Sequence, residues 1–363
     1  MKISCIKNDL TEAVLKAERF IGKNLTLPIL MNILLEAGDK TITVTATNLE
    51  MGIRERVPCK KGSDGAVSIP ARIFSSVLQS VQDDIISLEE KNATLSLSSD
   101  SSHYVIHGVV AKEFPILPSI AHGVETSLPI EAFTSAITQV LPAVSLSDIK
   151  PELSGVYVSC DGGIVKVAAT DSFRLAERTL FLKEEKKAPF SFILPQRTAH
   201  EIVRCFSGEG DVDIVFGDNQ VSFSSGPLFI ISRLIDGAYP DYQQIIPKNF
   251  SSYIHIGKND LISAVKGAAV VSSRLNDVTI GFDEDKVEVM SVNPEVGKTN
   301  ITKKAKVNSV GKISFNYRYL LDGIDVITGN KVSIGLQNEN SAVLIQGTED
   351  QSFLYVLMPI RAM

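Results

Sequence analysis

The chain has 363 residues and a formal net charge of −6, with 21% charged and 44% hydrophobic residues. This composition is typical of a folded globular protein and excludes a largely disordered chain. No apolar run approaches the roughly 20 residues that span a bilayer, which excludes a transmembrane protein. The acidic balance argues against a protein that grips nucleic acid with its whole surface, but it leaves a locally basic face open.

The cysteines indicate the compartment. Cys5, Cys59, Cys160 and Cys205 lie far apart in the sequence and form no C-x-x-C pair. This spacing argues against a disulfide framework or a structural zinc site. We therefore expect a cytoplasmic protein in a reducing environment.

The predicted elements, in chain order, occur three times. A short strand, a polar cap and an apolar-periodic helix open each copy, at residues 3–20, 126–141 and 253–271. Asn8-Asp9-Leu10 in the first copy returns as Asn259-Asp260-Leu261 in the third. A repeat of this kind indicates tandem structural units.

Three further landmarks follow each opening helix in the same order. Thr47-Asn48-Leu49-Glu50 resembles Thr170-Asp171 and, more faintly, the segment at Asn293. An arginine then opens a second helix, at Arg72, Arg197 and Arg318. A proline after an aromatic residue or methionine closes each copy, at Phe114-Pro115, Tyr239-Pro240 and Met358-Pro359. Four ordered landmarks, three times over, predict three tandem domains.

Most of the remaining sequence alternates with the two-residue period of half-buried strands. Each copy therefore predicts two helices packed on antiparallel sheet, which is an α+β architecture and not a parallel Rossmann sheet. We place the three domains at residues 1–122, 123–250 and 251–363.

Catalytic motifs are incomplete in this sequence. Gly297-Lys298-Thr299 resembles the end of a phosphate-binding loop, but Val292 stands where the opening glycine belongs. His103 and His107 lie in a predicted strand, about 13 Å apart and too far to share one ion. Asp211 and Asp213 lack a third ligand nearby. We expect no enzyme activity, cofactor or metal site.

One predicted helix has a basic face. Arg197, His200 and Arg204 recur at helical spacing opposite the apolar Ile202 and Phe206. Taken alone, such a face is better explained by solvation than by nucleic-acid binding.

Several motifs together resemble those of the bacterial sliding clamps, the beta subunits of DNA polymerase III, along essentially the whole chain. They are Leu27-Pro28-Ile29-Leu30, Asn32-Ile33-Leu34-Leu35, Thr47-Asn48-Leu49-Glu50, the run from Ala169 to Ala176, Tyr239-Pro240-Asp241-Tyr242 and the end from Tyr355 to Arg361. The resemblance implies a head-to-tail homodimer that closes into a ring of six domains, with helices lining the hole. Duplex DNA would thread the hole without sequence-specific contacts.

The resemblance also implies DNA-facing residues, which we expect to be Lys23, Asn24, Arg72, Lys150 and Arg197. Lysine and arginine near phosphates supply nonspecific affinity. Asn24 departs from the family, because related clamps can carry arginine there, and neighbouring Lys23 is the expected substitute. For the dimer we expect strand residues Tyr104 and Ile106 to meet helix residues Val270 and Val271.

In the family, partners such as the polymerase alpha subunit and the clamp loader insert a short peptide into a pocket between the second and third domains. The matching residues here are Leu153, Thr170, Ser172, Arg174, Leu175, Pro240, Ile245, Val356, Met358, Pro359, Ile360 and Arg361. Aliphatic and methionine side chains suit varied apolar anchors. Ser172 and Phe173 replace the usual glycine and histidine, Gln244 replaces a commonly basic residue, and Ala362-Met363 alters the tail. Partner preference is therefore left open.

The C-terminal segment should be a docking surface. Residues 354–360 are nearly all apolar, and Tyr355, Leu357 and Pro359 alternate with Val356, Met358 and Ile360. This alternation predicts one side on the sheet and the other along a groove. The alternative function is a monomeric DNA- or peptide-binding scaffold without ring closure.

Overall fold

The computed structural model describes residues 1–22, 26–120, 123–147, 149–182 and 189–360. Within these ranges the chain forms six α-helices, each where the sequence predicts one. They are α1 (Lys7–Ala17), α2 (Ala71–Ser80), α3 (Ile130–Val140), α4 (Gln196–Cys205), α5 (Lys258–Ala269) and α6 (Tyr317–Asp325).

The strands fall into three groups that follow the sequence repeats. The first repeat contains β1 (Lys2–Ile6), β2 (Asn32–Ala37), β3 (Thr41–Thr47), β4 (Met51–Pro58), β5 (Lys60–Ser63), β6 (Gly65–Pro70), β7 (Ile85–Lys91), β8 (Thr94–Ser98), β9 (His103–His107) and β10 (Val109–Val110). The second contains β11 (Val124–Pro129), β12 (Gly155–Asp161), β13 (Ile164–Thr170), β14 (Arg174–Phe181), β15 (Phe190–Pro195), β16 (Asp211–Phe216), β17 (Gln220–Ser225) and β18 (Leu228–Arg233). The third contains β19 (Ser252–Gly257), β20 (Asp277–Asp283), β21 (Lys286–Asn293), β22 (Gly297–Val307), β23 (Gly311–Asn316), β24 (Lys331–Leu336), β25 (Val343–Gly347) and β26 (Phe353–Leu357).

One compact unit comprises Met1–Glu131 and Arg204–Leu234. It holds a five-stranded sheet, β5-β1-β7-β8-β9, and a nine-stranded sheet, β10-β6-β2-β3-β4-β18-β17-β16-β11. The nine-stranded sheet joins two sequence repeats, because β4 of the first pairs with β18 of the second.

The other compact unit comprises Ala132–Val203 and Ile235–Met363. Its twelve-stranded sheet runs β15-β12-β13-β14-β26-β25-β24-β19-β22-β21-β20-β23. Here β14 of the second repeat pairs with β26 of the third. Continuous sheets therefore cross the repeat boundaries, and the predicted bounds at 122 and 250 stay a prediction.

The helices bury one stripe each, as their apolar period predicts. In α1 the buried residues are Leu10, Ala13, Val14 and Ala17, and in α5 they are Leu261, Ala264, Val265 and Ala268. Both sets follow the spacing i, i+3, i+4, i+7 of a helix face that packs on a core. All the strand pairs described are antiparallel, so the α+β prediction is confirmed.

Two details differ from the sequence prediction or add to it. Val270 and Val271 were predicted inside a helix, but α5 ends at Ala269 and Val270 is its C-cap. Val271 forms a turn, in which its N–H donates to the Ala268 carbonyl at 3.3 Å. No helix among the described residues is long and apolar enough to cross a membrane.

Candidate functional site

The turn between β13 and β14 is fixed by side-chain hydrogen bonds. The Asp171 carboxylate accepts from the backbone N–H groups of Phe173 and Arg174, both at 2.9 Å. The Thr170 hydroxyl donates to the Arg174 carbonyl at 2.7 Å. Ser172 has a φ of 77°, in the left-handed region. A threonine followed by aspartate supplies these local bonds, so the predicted landmark at Thr170-Asp171 marks a rigid hairpin.

Arg174 is held from several sides. Its guanidinium lies 2.9 Å from Asp171 and 2.5 Å from Asp322, and it stacks over the Tyr319 ring at 4.2 Å. Burial opposes its charge, but Tyr355 and the two carboxylates outweigh burial and raise the pKa of Arg174. The group is therefore a fixed cation and not a mobile surface charge.

Below the turn lies a buried apolar cluster of Ala168, Leu175, Tyr242 and Val356. Leu175 and Val356 face each other across the β14–β26 pair. The Tyr242 hydroxyl donates to the buried Glu177 carboxylate at 2.6 Å. Burial first, and then the Glu177 charge, raise the pKa of this phenol, so Tyr242 remains a hydrogen-bond donor.

Exposed apolar side chains surround this cluster. Phe173 is 60% exposed and stacks on Tyr319, and Ile245 and Met358 are also exposed. The Met358 N–H donates to the Phe173 carbonyl at 2.9 Å, which joins the C-terminal segment to the turn. Leu175 and Val356 are buried, whereas Met358 is 44% exposed. We call this arrangement the second-junction groove.

The predicted pocket residues divide into those that the described contacts bring together and those that they do not. Thr170, Ser172, Arg174, Leu175, Val356 and Met358 share the turn and the β14–β26 pair. Pro240 and Ile245 flank Tyr242, and Pro359 and Ile360 continue from Met358, with the Ile360 N–H bonded to the Ser314 carbonyl at 2.8 Å. Leu153 is buried in the short turn before β12. Arg361 and the changed tail, Ala362-Met363, lie outside the described residues.

The side chains of the tail alternate as predicted, but both faces of the strand are covered. Tyr355, Val356 and Leu357 are all buried, because β26 is an inner strand between β14 and β25 and both of its faces are covered. Val356 packs on Tyr242, while the Tyr355 ring packs against Gly323 of α6. The exposed part of the tail begins at Met358.

Sequence reasoning missed several groups of this site. Tyr319, Asp322 and Glu177 were not predicted, and Tyr242 was noted only as part of a motif. Tyr319 and Asp322 come from α6, and only folding brings them to Arg174. Glu177 carried a usable signal, because it lies among buried positions of a strand, where a lone carboxylate needs partners.

The same backbone arrangement occurs where β4 meets β18. The Asn48 side chain accepts from the N–H groups of Glu50 and Met51, and Leu49 has a φ of 73°. The Arg233 N–H donates to the Glu50 carbonyl at 2.7 Å, as Met358 does to Phe173. A hollow of about 350 Å³ lies here, between the turn and residues 116–118. We call it the first-junction hollow.

The predicted DNA-facing residues are partly described. Arg72 and Arg197 are exposed at the second position of α2 and α4, and Arg318 repeats that place in α6. Lys150 is exposed next to the turn 151–153. Lys23 and Asn24 lie outside the described residues.

The predicted dimer residues differ in exposure. Ile106 is only 5% exposed and packs in the core of its own repeat, whereas neighbouring Val105 is 53% exposed. Adjacent residues of a strand point to opposite faces, so Val105 and Ile106 lie on different sides of the sheet, and the predicted dimer contact stays a prediction. Tyr104 is half-buried, Val271 is half-buried, and Val270 is 81% exposed.

Comparison with known proteins identifies the family. Family models of the DNA polymerase III beta subunit match residues 1–118 as the N-terminal domain, 127–241 as the central domain and 243–361 as the C-terminal domain. The chain belongs to the DNA polymerase III beta subunit family.

Relatives and solved structures agree along the full length. A beta sliding clamp from Synechocystis sp. is 27% identical over 389 residues, with 99% of each chain covered. The sliding clamp of Bacillus subtilis matches with a TM-score of 0.95 at 25% identity, and 100% of both chains is covered. A sliding clamp from Pseudomonas aeruginosa bound to griselimycin has a TM-score of 0.96 at 24% identity, which shows a shared fold.

These matches confirm the predicted resemblance and the three-domain clamp fold. They favour the sliding-clamp interpretation over a monomeric scaffold.

Proposed function

We propose that this chain closes as a head-to-tail homodimer around duplex DNA and tethers the replicative polymerase and other DNA-processing proteins. It would act without catalysis of its own and in the cytoplasm. The observation that carries the proposal is the repetition of one strand junction within the chain, together with two strand edges that could form it once more between copies.

The two junctions within the chain share one register. Ile231 pairs with Gly52 and Val356 pairs with Leu175. Gly52 and Leu175 each pair with the threonine that precedes the Asx residue of the turn. In the third repeat Lys298 pairs with Val292, which precedes Asn293, so Lys298 is the equivalent residue.

Two strand edges among the described residues match the partners of a third junction. β9 ends the five-stranded sheet, and residues 297–304 of β22 pair along one edge with β21 among the described strands. His107 pairs with Thr94 as Arg233 pairs with Gln220, which makes Val105 equivalent to Ile231. The repeated register therefore sets Val105 opposite Lys298 of the partner and Tyr104 opposite Thr299. A heterologous contact of this kind closes a ring when the rotation allows it.

The helices support the same pairing. Near the second junction, the Gln139 side chain at the end of α3 donates to the Val326 carbonyl, just after α6, at 3.0 Å. The equivalent contact between copies would bring the end of α5, with exposed Val270, to α2 of the partner. α2 carries an exposed Ile73 on its surface. The dimer contact would therefore use Val270 and Val271 against α2, with Tyr104 and Val105 in the strand pair.

Binding to DNA would come from enclosure more than from affinity. The chain carries −6, and the DNA-facing candidates are few, namely Arg72, Arg197, Lys150 and, outside the described residues, Lys23 and Asn24. Nonspecific affinity rises with the number of phosphates neutralised, so a small set of cations gives weak binding to open duplexes. An acidic remainder would reduce sticking elsewhere.

The second-junction groove would bind the peptides of partner proteins. Its buried cluster is apolar, an exposed methionine and phenylalanine belong to the same turn and tail, and Arg174 is fixed in the turn. Short linear peptides bind such grooves through one or two apolar anchors.

Retention on circular DNA tests the ring. Protein loaded onto nicked circles should persist through a salt wash and leave when the circle is cut. Equal retention on linear and circular DNA would contradict enclosure and favour ordinary backbone binding.

Cross-linking tests the register. The double variant Tyr104→Cys, Thr299→Cys should give a covalent dimer on mild oxidation. A control that shifts one partner by two residues on the same face, Tyr104→Cys with Ile301→Cys, should cross-link far less. Monomer alone by light scattering at micromolar concentration would contradict the dimer.

A further inference from the structure

Two cysteines of the first repeat are neighbours, Cys5 on β1 and Cys59 immediately before the paired strand β5. In the antiparallel pair β1–β5, Ile3 is opposite Lys61 and Ser4 is opposite Lys60. The same register, continued by one residue, sets Cys5 opposite Cys59. Cys59 immediately precedes β5, and its N–H donates to the Lys40 carbonyl at 2.9 Å. It therefore lies where the chain leaves β4 in one sheet and enters β5 in the other.

In a ladder that continues by this one residue, the placement meets the distance requirement of a disulfide. Opposite residues of an antiparallel pair have Cα atoms about 4.5–5.5 Å apart and side chains on one face. A disulfide joins Cα atoms that are about 4.4–6.8 Å apart. Two cysteines at such positions can be joined with little movement of the backbone.

The two thiols differ in environment. Cys5 is buried and Cys59 is half-buried. Burial raises the pKa of Cys5 to about 12, and the nearby Cys59 and Asp9 add to this shift. Cys59 is therefore the thiol that meets a dissolved oxidant first, and Cys5 reacts second and slowly at neutral pH.

The other cysteines provide matched controls. Cys160 is also buried on a strand, but its neighbours across the sheet are Val165 and Phe190. Cys205 ends α4 and is buried. Neither has a cysteine opposite it in the described strand pairs.

We propose that Cys5 and Cys59 form a modification site, a dithiol that low-molecular-weight disulfides such as oxidised glutathione convert to a cross-strand disulfide. The Cys59 thiolate attacks one sulfur of oxidised glutathione, forms a mixed disulfide and releases one glutathione thiolate. Cys5 then loses its proton and attacks the Cys59 sulfur, which releases the second glutathione. Two protein thiols are oxidised by two electrons, and one glutathione disulfide is reduced to two thiols.

The bond would tie the five-stranded sheet to the strand that leaves the nine-stranded sheet. Cross-linking residues so distant in sequence restricts the unfolded chain and raises the thermal midpoint. Because the second step needs the Cys5 thiolate, its rate should rise about tenfold per pH unit below the pKa of Cys5.

The experiment uses the full chain with oxidised glutathione at pH 7.0 and 8.5, followed by alkylation in denaturant and non-reducing peptide mapping. A peptide containing Cys5 linked to one containing Cys59 is expected, with faster formation at pH 8.5. The thermal midpoint should rise by several degrees and return after dithiothreitol. Cys160→Ser should behave like the unchanged protein, and Cys59→Ser should form no link.

Two results would overturn the proposal. One is a glutathione adduct that stays on Cys59 while Cys5 is recovered alkylated. The other is a linked peptide that joins Cys5 to Cys160 or Cys205. Both are read from the unchanged protein, so the conclusion does not depend on whether a Cys5 variant folds.

Discussion

The junction of β4 with β18 and the junction of β14 with β26 have the same backbone arrangement but different side chains. Both turns carry an Asx residue that accepts two N–H groups, and both close with one strand-end hydrogen bond. Glu50, Met51 and Gly52 at the first junction correspond to Phe173, Arg174 and Leu175 at the second. At the first junction Leu117 packs over Gly52. The two junctions therefore share a backbone arrangement, and the peptide groove proposed for the second junction depends on the side chains that differ there.

The largest expected effect is loss of peptide binding on removal of residues 358–363. Truncation removes the exposed Met358 and the residues after it, while β26 ends at Leu357 and keeps its pairs with β14 and β25. Affinity for a fluorescent peptide of the polymerase's clamp-binding type should fall at least about 100-fold, or about 3 kcal/mol, as for central anchors. Anisotropy titration measures this.

The control lies at the first junction. Arg233 occupies the place of Met358, so Arg233→Ala should leave peptide affinity unchanged. Unchanged affinity in the truncated protein would show that the peptide binds elsewhere.

The repeats and strand periods made much of this comparison predictable from sequence. Asn48 and Asp171 belong to a landmark that recurs at the same place in two repeats, and the apolar period of residues 8–17 and 258–269 predicted helices with one buried face. Local bonds and burial periods act over a few residues, and so the sequence shows them directly.

The pairing of the strands, and the face of the sheet on which each side chain lies, were not predictable in the same way. The sequence did not show that β26 becomes an inner strand with both faces covered, or that Ile106 points into the core. The sequence also did not show that Tyr319 and Asp322 contact Arg174, because α6 lies far along the chain from β14. These features depend on which distant elements meet, and a single strand pattern does not specify this.

A smaller effect is expected at the position where the junctions differ in charge. Arg174 is 10% exposed and pairs with Asp171 and the more exposed Asp322. Arg174→Ala leaves Asp171 without its side-chain cation and should lower the free energy of unfolding by about 2–3 kcal/mol. Arg174→Met copies Met51 of the first junction, fills the space and should cost about 1 kcal/mol. Urea unfolding measures the stability of both variants. Equal losses of stability would show that the volume filled by methionine does not contribute.

A pH-dependent effect is expected at the far end of the second junction. The Thr179 N–H bonds to the Ser352 carbonyl there, as Arg56 bonds to Pro227 at the first junction. Beside it, Asp350 pairs with Arg178 at 2.5 Å, whereas Ser225 stands at the matching place. Burial opposes ionisation of Asp350, but hydrogen bonds from Ser352 and Arg178 outweigh it and lower the pKa of Asp350.

A carboxyl whose folded pKa is lowered adds stability above its unfolded pKa, near 4, and loses that stability as pH falls through the folded value. Asp350→Asn should therefore cost about 1–2 kcal/mol at pH 7, and the deficit should shrink steadily below about pH 4. Unfolding measured between pH 7 and pH 2.5 tests the sign. A deficit that is constant with pH would assign the effect to packing.

The smallest effect compares the two turns themselves. Ser172 and Leu49 both hold left-handed φ values, 77° and 73°, which cost an L-residue about 1 kcal/mol and glycine almost nothing. Glycine also loosens the unfolded chain, so Ser172→Gly should be about 0.5 kcal/mol more stable than Ser172→Ala.

Leu49 borders the first-junction hollow, so its own side chain contributes there. Comparing Leu49→Gly with Leu49→Ala removes that contribution, since both variants lack it. The glycine-minus-alanine difference in unfolding free energy should then agree at the two turns within about 0.3–0.5 kcal/mol. A larger disagreement would mean that equal hydrogen bonds and equal dihedral angles do not carry equal strain, and that the two junctions differ in backbone energy as well as in side chains.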